Sequence, residues 1–196
     1  MGLYYWYSSI TGYLKRADVK RWLEEISEGT LRRVGIKEGQ LLLDFGCGMG
    51  YYTIPSARIV GREGRVYAID KDKDCLDRIK KIAREEGLNN IDFINTAAEV
   101  RLPLRDESID VVLLYDVLHF YYFTRDKRSK LLKEIYRVSK KNALISVYPK
   151  HMKLDEIKMD MEKADFLLKE ELILTVIHDN SLIKDHLLNF KKVSDF

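Results

Sequence analysis

The sequence predicts a doubly wound α/β fold, a mostly parallel sheet with helices on both faces. Three observations support this prediction. Short apolar segments alternate with amphipathic helical segments along most of the chain, as in repeated β-α-β units. A glycine-rich turn over residues 46–50 follows the first apolar segment, and the carboxylate of Asp70 ends the second. Open sheets of this kind bind ligands at the carboxyl ends of their strands.

The first predicted elements lead into this turn. Apolar positions over residues 15–34 recur at mostly helical spacing, and Gly35 is expected to end that helical region. Leu41–Phe45 is an apolar run typical of a buried strand. A helix is expected over Thr53–Val60, followed by a second strand over Arg65–Asp70.

The middle of the chain continues the alternation. Asp72 or Asp74 can cap a helix that ends near Glu86, because aspartate side chains accept hydrogen bonds from free N–H groups at a helix start. Ile91–Asn95 and Ile109–Tyr115 are expected to be the third and fourth strands.

In the C-terminal part of the sequence the alternation of strands and helices changes. The new pattern predicts an antiparallel hairpin at the end of a seven-stranded Rossmann-like sheet. The hairpin follows from a turn signal between two apolar segments. The expected elements are, in order, a helix over 130–139, a strand over 143–148, a helix over 154–166, a strand over 172–177, a turn at 179–181 and a final strand near 187–190.

Length and composition indicate one domain over residues 1–196. Of its 196 residues, 46% are hydrophobic, which is enough for one sizeable core. We expect an N-terminal helical segment over 1–34, a cofactor-binding core over 35–150 and a C-terminal helix and hairpin over 151–196. The formal charge of +3 comes from interspersed basic residues, so it does not by itself indicate a nucleic-acid-binding protein.

Cysteine usage and hydropathy predict a soluble cytoplasmic protein. The two cysteines form no disulfide framework and no CxxC pair. We expect no secretory leader, because the N-terminus has no basic segment followed by an apolar stretch, and no apolar run reaches transmembrane length. No group of histidine, cysteine and acidic residues has metal-ligand spacing, so we expect no metal site.

The glycine spacing indicates which cofactor is bound. Gly46, Gly48 and Gly50 form GxGxG rather than the GxGxxG pattern of dinucleotide-binding folds. Asp44 lies two residues before the first glycine, where a carboxylate suits a cationic ligand better than a pyrophosphate. Asp70 is positioned to accept hydrogen bonds from ribose hydroxyls. A positively charged nucleoside cofactor is therefore favoured.

These residues resemble a known family. The run 44–50, followed by Asp70 and then Asp110-Val111-Val112, is similar to the class I S-adenosylmethionine-dependent methyltransferases. The resemblance covers roughly residues 30–150, and the C-terminal hairpin is similar to the antiparallel sixth and seventh strands of that family. It implies that S-adenosylmethionine (SAM) is the cofactor.

The resemblance also implies roles for residues of the glycine run. Gly46, Cys47 and Gly48 would line the methionine part of SAM, and Asp44 would lie near its ammonium group. Asp70 would bind both ribose hydroxyls.

Further contacts are implied around the adenine. Lys71 would lie beside it, and Phe45 and Gly50 would complete the cofactor-binding run. Ala97 stands where the family often has a polar adenine contact, so backbone groups of Ala97 and Ala98 are the expected contacts instead.

The segment after the fourth strand would face the transferred methyl group. It lacks the Asn-Pro-Pro-Tyr or Asp-Pro-Pro-Tyr signature associated with methylation of amide or exocyclic base nitrogens. Asp116 can contact the methionine end of SAM. His119 is either a general base toward a hydroxyl, thiol or acidic carbon, or a structural histidine beside the sheet.

The aromatic run Tyr4-Tyr5-Trp6-Tyr7 is either a lid over the substrate or part of the core.

Several functions fit these patterns. The leading prediction is a methyltransferase acting on a small-molecule substrate, with no membrane partner. A SAM-binding partner or scaffold protein without its own activity is an alternative, because no residue is an unambiguous catalyst. An RNA methyltransferase is another. The glycine spacing and the lack of room for a separate substrate domain disfavour an NAD-dependent dehydrogenase.

Overall fold

A computed structural model of the protein describes residues 17–96 and 101–193. The strands are β1 Leu41–Phe45, β2 Arg65–Asp70, β3 Ile91–Asn95, β4 Ile109–Tyr115, β5 Ser139–Tyr148, β6 Phe166–His178 and β7 Ser181–Lys192. The helices are α1 Ser27–Val34, α2 Thr53–Val60, α3 Lys73–Glu85, α4 Arg125–Val138 and α5 Leu154–Glu162, and a π-helical turn over Trp22–Ile26 precedes α1.

All seven strands form one sheet in the order β3-β2-β1-β4-β5-β7-β6. Strands β1 to β5 are parallel to one another. Strand β7 is antiparallel to both β5 and β6. The turn between β6 and β7 contains Asp179 and Asn180, which both have positive φ, as tight hairpin turns require. The predicted doubly wound fold with a C-terminal hairpin is confirmed.

The core lies on both faces of the sheet, because successive residues of a strand point to opposite sides. In β1, Leu42 belongs to one buried cluster and Leu43 to the other. Helices α1, α2 and α3 pack on the first face, and α4 and α5 pack on the second.

Several predicted boundaries agree with the structure. Helix α2 and the first four strands have the expected bounds. Gly35 ends α1 with a φ of 120°, which a residue with a Cβ adopts only at a cost. Asp72, rather than Asp74, caps α3, and its side chain accepts hydrogen bonds from the N–H groups of Asp74 and Cys75.

Other predicted boundaries are wrong. Helix α4 begins at Arg125, five residues before the expected start, because the Thr124 hydroxyl caps a polar first turn that carries no apolar periodicity. Helix α5 ends at Glu162, and Phe166 already belongs to β6. Strand β5 begins at Ser139 instead of 143, and the hairpin strands are also longer than expected.

In residues 17–96 and 101–193, no helix has both the length and the apolar character needed to cross a bilayer.

A buried arginine fixes the segment that follows β4. The Arg128 side chain is 4% exposed, and its guanidinium donates to Asp160 at 2.7 Å, to Glu156 at 2.6 Å and to the carbonyl of Leu118 at 3.1 Å. One side chain of α4 therefore joins α5 to the chain just after Asp116.

Replacing Arg128 should destabilise the protein strongly. We expect Arg128→Met to lower the free energy of unfolding by about 3 kcal/mol, because it removes a buried cation and leaves the partly buried carboxylate of Asp160, 12% exposed, without its partner. Urea denaturation measures this change. The control is Arg33→Met, which removes an exposed ion pair with Glu170 and should cost less than about 1 kcal/mol. Equal losses in the two variants would contradict this account.

Candidate functional site

A cavity of about 1010 Å³ lies at the carboxyl edge of β1, β2 and β4. Its position agrees with the rule that open α/β sheets bind ligands outside the carboxyl ends of their strands. Six of the predicted cofactor residues line it, namely Phe45, Gly46, Gly48, Asp70, Lys71 and Asp116.

The glycine run forms the turn between β1 and α2. The N–H groups of Gly46 and Cys47 both donate to the carbonyl of Ile69, at 2.8 and 3.0 Å. Gly46 has a φ of 74°, and a Cβ there would come within 2.7 Å of the Val117 side chain. A Cβ on Gly48 would meet nothing closer than 3.9 Å and would occupy open space beside the cavity. The backbone at Gly48 is therefore accessible to a ligand.

Asp70 holds its carboxylate at the tip of β2. One carboxylate oxygen accepts from the N–H of Gly48 at 2.7 Å, and the other accepts from the N–H of Asp72 at 2.9 Å. Because each oxygen has a second lone pair, both can still accept a hydrogen bond from a ligand. A pair of neighbouring hydroxyls, as in a ribose, fits this arrangement.

Asp44 lies behind the glycine turn and is not among the described residues that line the cavity. It is 2% exposed, and the Thr53 hydroxyl donates to it at 2.6 Å. Burial raises the pKa of Asp44 to about 7, while the Thr53 hydrogen bond lowers it and nearby Asp70 raises it further. Asp44 thus joins the end of β1 to the first residue of α2.

Two other residues of the glycine run, Cys47 and Gly50, also face the protein interior. Cys47 is 7% exposed and packs in the core, and burial raises the pKa of its thiol. A Cβ on Gly50 would come within 2.7 Å of Ile79 on α3. Among the described residues, neither Cys47 nor Gly50 lines the cavity, and their predicted cofactor contacts stay predictions.

Asp116 directly follows the fourth strand at the cavity wall, with a φ of 53°. Its Oδ1 is buried and accepts no hydrogen bond from the described part of the chain. Its Oδ2 lies 3.2 Å from Nδ1 of His178. Burial raises the pKa of Asp116, and His178 and His119 oppose that shift.

His119 is 5% exposed and lies behind Asp116. Its Nδ1 accepts from the N–H of Tyr121 at 3.3 Å, and its Nε2 lies 3.6 Å from Oδ1 of Asp116. Burial lowers the pKa of His119, against the opposing effect of Asp116. With Nδ1 accepting, Nε2 carries the proton and faces Asp116. This orientation suits a positioning role, and the predicted role as a general base stays untested.

Some predicted residues lie outside the described part of the chain. These are Ala97 and Ala98, expected beside the adenine, and the aromatic run at residues 4–7. Lys71 does lie at the cavity, where its ammonium is 5.2 Å from the centre of the Tyr122 ring.

Sequence reasoning missed two parts of this edge. Lys127, Lys130 and Lys133 line the cavity from α4, but in sequence they look like ordinary surface charges of an amphipathic helix. His151 and His178 lie beside Asp116, although the three residues are far apart in the chain. Spacing along the sequence, which predicted no metal cluster, carries no signal for such a group.

The family model described as a methyltransferase domain matches residues 42–142, just over half of the chain. The chain belongs to this family. The family match, the fold and the glycine run together identify a class I SAM-dependent methyltransferase domain, and SAM is the cofactor of that family.

Curated relatives match part of this methyltransferase domain. The chain is 37% identical over 92 residues to a probable cobalt-precorrin-6B C(15)-methyltransferase (decarboxylating) of Saccharolobus solfataricus, covering 46% of each chain. It is 31% identical over 120 residues to demethylmenaquinone methyltransferase of Geobacillus stearothermophilus, covering 61% of this chain and 47% of the relative. The chain thus spans about half the length of the curated relatives it matches.

Solved structures share the fold of this methyltransferase domain. A SAM-dependent methyltransferase from Aquifex aeolicus has a TM-score of 0.73 at 22% identity, covering 93% of this chain and 98% of that one. Magnesium protoporphyrin IX methyltransferase from Synechocystis PCC 6803, solved with bound SAM, has a TM-score of 0.66 at 19% identity, covering 92% of this chain and 83% of that one.

The buried carboxyl of Asp44 should make stability depend on pH. Its pKa rises from 3.8 to about 7 on folding, so the folded state favours the protonated form. The stabilisation from this group is complete below the unfolded pKa and is lost as pH rises through the folded pKa. Between pH 5 and pH 8 the wild type should therefore lose roughly 3 kcal/mol relative to Asp44→Asn.

Urea denaturation of both proteins at the two pH values measures this difference. The asparagine variant keeps an oxygen to accept from the Thr53 hydroxyl, so it changes the charge with little change in packing. A stability difference between the two proteins that stays constant across the pH range would contradict the shift.

Proposed function

We propose that this chain binds SAM in the cavity and transfers its methyl group to a small-molecule acceptor. The observation that carries the proposal is the arrangement of the glycine turn and Asp70 at the tips of neighbouring strands, beside an open cavity. The cavity volume is at the upper end of the usual range for ligand sites, about 300–1,000 Å³, which leaves room for an acceptor beside a cofactor.

Residues at the cavity and behind the glycine turn have binding or supporting roles in this proposal. The carboxylate of Asp70 accepts hydrogen bonds from the two ribose hydroxyls, and the open backbone at Gly48 contacts the methionine part. Lys71 lies beside the adenine, next to Tyr122. Asp44 holds the glycine turn from behind through Thr53.

In this proposal the methyl-carrying end of bound SAM lies near the tip of β4. When bound, SAM supplies a methyl group on a positively charged sulfonium. Asp116 contributes a carboxylate to this end of the cavity, where a cation is favoured. The rings of Phe45 and Phe123, whose centres are 6.4 Å apart, form an apolar wall that excludes water from the reacting groups.

Positioning provides most of the acceleration in this proposal, since methyl transfer is an in-line displacement and orientation alone can lower a barrier by several kcal/mol. A base is needed only for acceptors that lose a proton. His119 is the residue we propose for that step. It can take a proton at Nδ1 once the Tyr121 N–H no longer occupies that atom.

The small-molecule class is supported by the names of the relatives. They are named for a cobalt-precorrin and for demethylmenaquinone. Basic residues interspersed along the chain, with a net formal charge of +3, give no separate indication of a nucleic-acid substrate.

Calorimetry and a transfer assay test the proposal. The purified chain is titrated with SAM, with its demethylated product and with NAD, and is then incubated with methyl-labelled SAM and fractions of a cell extract. Binding of SAM and label in the small-molecule fraction would support the proposal. Label in RNA, with salt-sensitive RNA binding, would favour an RNA methyltransferase. SAM binding without transfer to any fraction would favour a non-catalytic partner protein.

Changing the ribose-binding carboxylate should weaken cofactor binding selectively. We expect Asp70→Asn to raise the Kd for SAM by about 10- to 100-fold, because hydrogen bonds to a charged acceptor contribute about 1.5–3 kcal/mol each. The control is Asp77→Asn, an aspartate of α3 that pairs with Lys80 and does not line the cavity. If both variants bind SAM as the wild type does, Asp70 is not the ribose contact.

A further inference from the structure

Three side chains that can ligate a metal converge beside the cavity. One ligand atom each of Asp116, His151 and His178 lies within 4.8 Å of the other two. His119, behind Asp116, has its ring centre 5.5 Å from that of His151. Three of the four histidines in the chain therefore surround one carboxylate.

The sheet topology brings these residues together. Asp116 follows β4, His151 follows β5 and His178 ends β6. Strands β4 and β5 are parallel, and β6 runs in the same direction as β5 because both are antiparallel to β7. The carboxyl ends of all three strands are thus at the edge of the sheet that holds the cavity.

We propose that Asp116, His151 and His178 form a binding site for a divalent transition metal ion such as Zn²⁺. Two imidazoles and one carboxylate suit zinc and its first-row neighbours, whereas Mg²⁺ and Ca²⁺ prefer oxygen ligands alone. Three protein ligands leave a further coordination position open.

The distances are compatible with this proposal after small side-chain movements. Ligand bonds of about 2.0–2.2 Å place the donor atoms of a tetrahedral site roughly 3.4 Å apart. Nδ1 of His178 and Oδ2 of Asp116 already lie 3.2 Å apart. His151 is exposed and sits in a turn, so its ring can rotate toward the other two.

The surroundings of the cluster also point to a cation. Oδ1 of Asp116 is buried and accepts no hydrogen bond from the described residues, and burying such a group without a partner is costly. Nε2 of His178 lies 3.4 Å from a carboxylate oxygen of Asp179. Histidines that ligate metals commonly direct their other nitrogen to a carboxylate, which orients the ring.

A metal here would lie at the border of the cavity, because Asp116 lines it. Its open coordination position could then hold an acceptor oxygen or nitrogen. This extension to the acceptor rests on the proposed function, whereas the metal site itself does not.

Metal titration of the full chain without cofactor tests the site. After treatment with a chelator, the protein is titrated with Zn²⁺ by calorimetry and with Co²⁺ by visible absorption. We expect one ion per chain and the visible bands of Co²⁺ with mixed nitrogen and oxygen ligands. His151→Ala and His178→Ala should each raise the Kd for Zn²⁺ by about 100-fold or more, since even changes outside the ligand shell cost 10–100-fold.

The fourth histidine provides a matched control. His186 lies on β7, outside the cluster, and its Nδ1 is 2.7 Å from Glu171. His186→Ala should leave the Kd for Zn²⁺ unchanged. Absence of binding, or equal effects of His186→Ala and the two cluster variants, would overturn the proposal.

Folding and cofactor binding are measured on the same variants. Circular dichroism shows whether each variant is folded, and the exposed position of His151 makes His151→Ala the variant least disruptive to packing. Calorimetry with SAM then separates the two proposals. If the unmutated chain binds SAM but no Zn²⁺, only the metal site is rejected. If it binds Zn²⁺ but not SAM, only the proposed function is rejected.

Discussion

The parallel pairing of β1 with β2 determines where the candidate site lies. In this register Phe45, the last residue of β1, is level with Ile69, and β2 extends one residue further to Asp70. The carbonyl of Ile69 then accepts from two successive N–H groups of the glycine turn, and the next residue, Asp70, accepts from a third. The turn and the carboxylate therefore hold each other in place. A shift of one residue in this pairing would separate them and turn the side chains to the wrong faces.

The carboxylates near the cavity have different structural roles, although all three follow the same sequence pattern. Asp70 and Asp116 line the cavity, while Asp44 is enclosed beneath the turn and bonded to Thr53. Burial of Asp44 raises its pKa into the neutral range, so part of the folding energy is used to keep an acidic group away from water. This is consistent with a residue that supports the turn from behind, and the predicted contact of Asp44 with the cofactor stays a prediction.

Local sequence patterns were sufficient to predict the fold and six of the residues that line the cavity. The glycine turn, the acidic residues at the strand ends and the apolar strands are each formed by residues that are adjacent in sequence. The predicted positions of these features agree with the structure. The start of α4 was missed because Thr124 caps a polar turn that leaves no hydrophobic signal. The group of Asp116, His151 and His178 was missed for a different reason. Its members come from three strands, and only the order of strands in the sheet brings them together.

The strand order also has a consequence for how the chain is made. Strand β5 is paired on one side with β4 and on the other with β7, which comes after β6 in the sequence. During synthesis on the ribosome, β5 therefore keeps an open edge until residues 181–192 emerge, and open edges of this kind promote aggregation. The C-terminal hairpin, which carries His178, therefore closes the edge of β5.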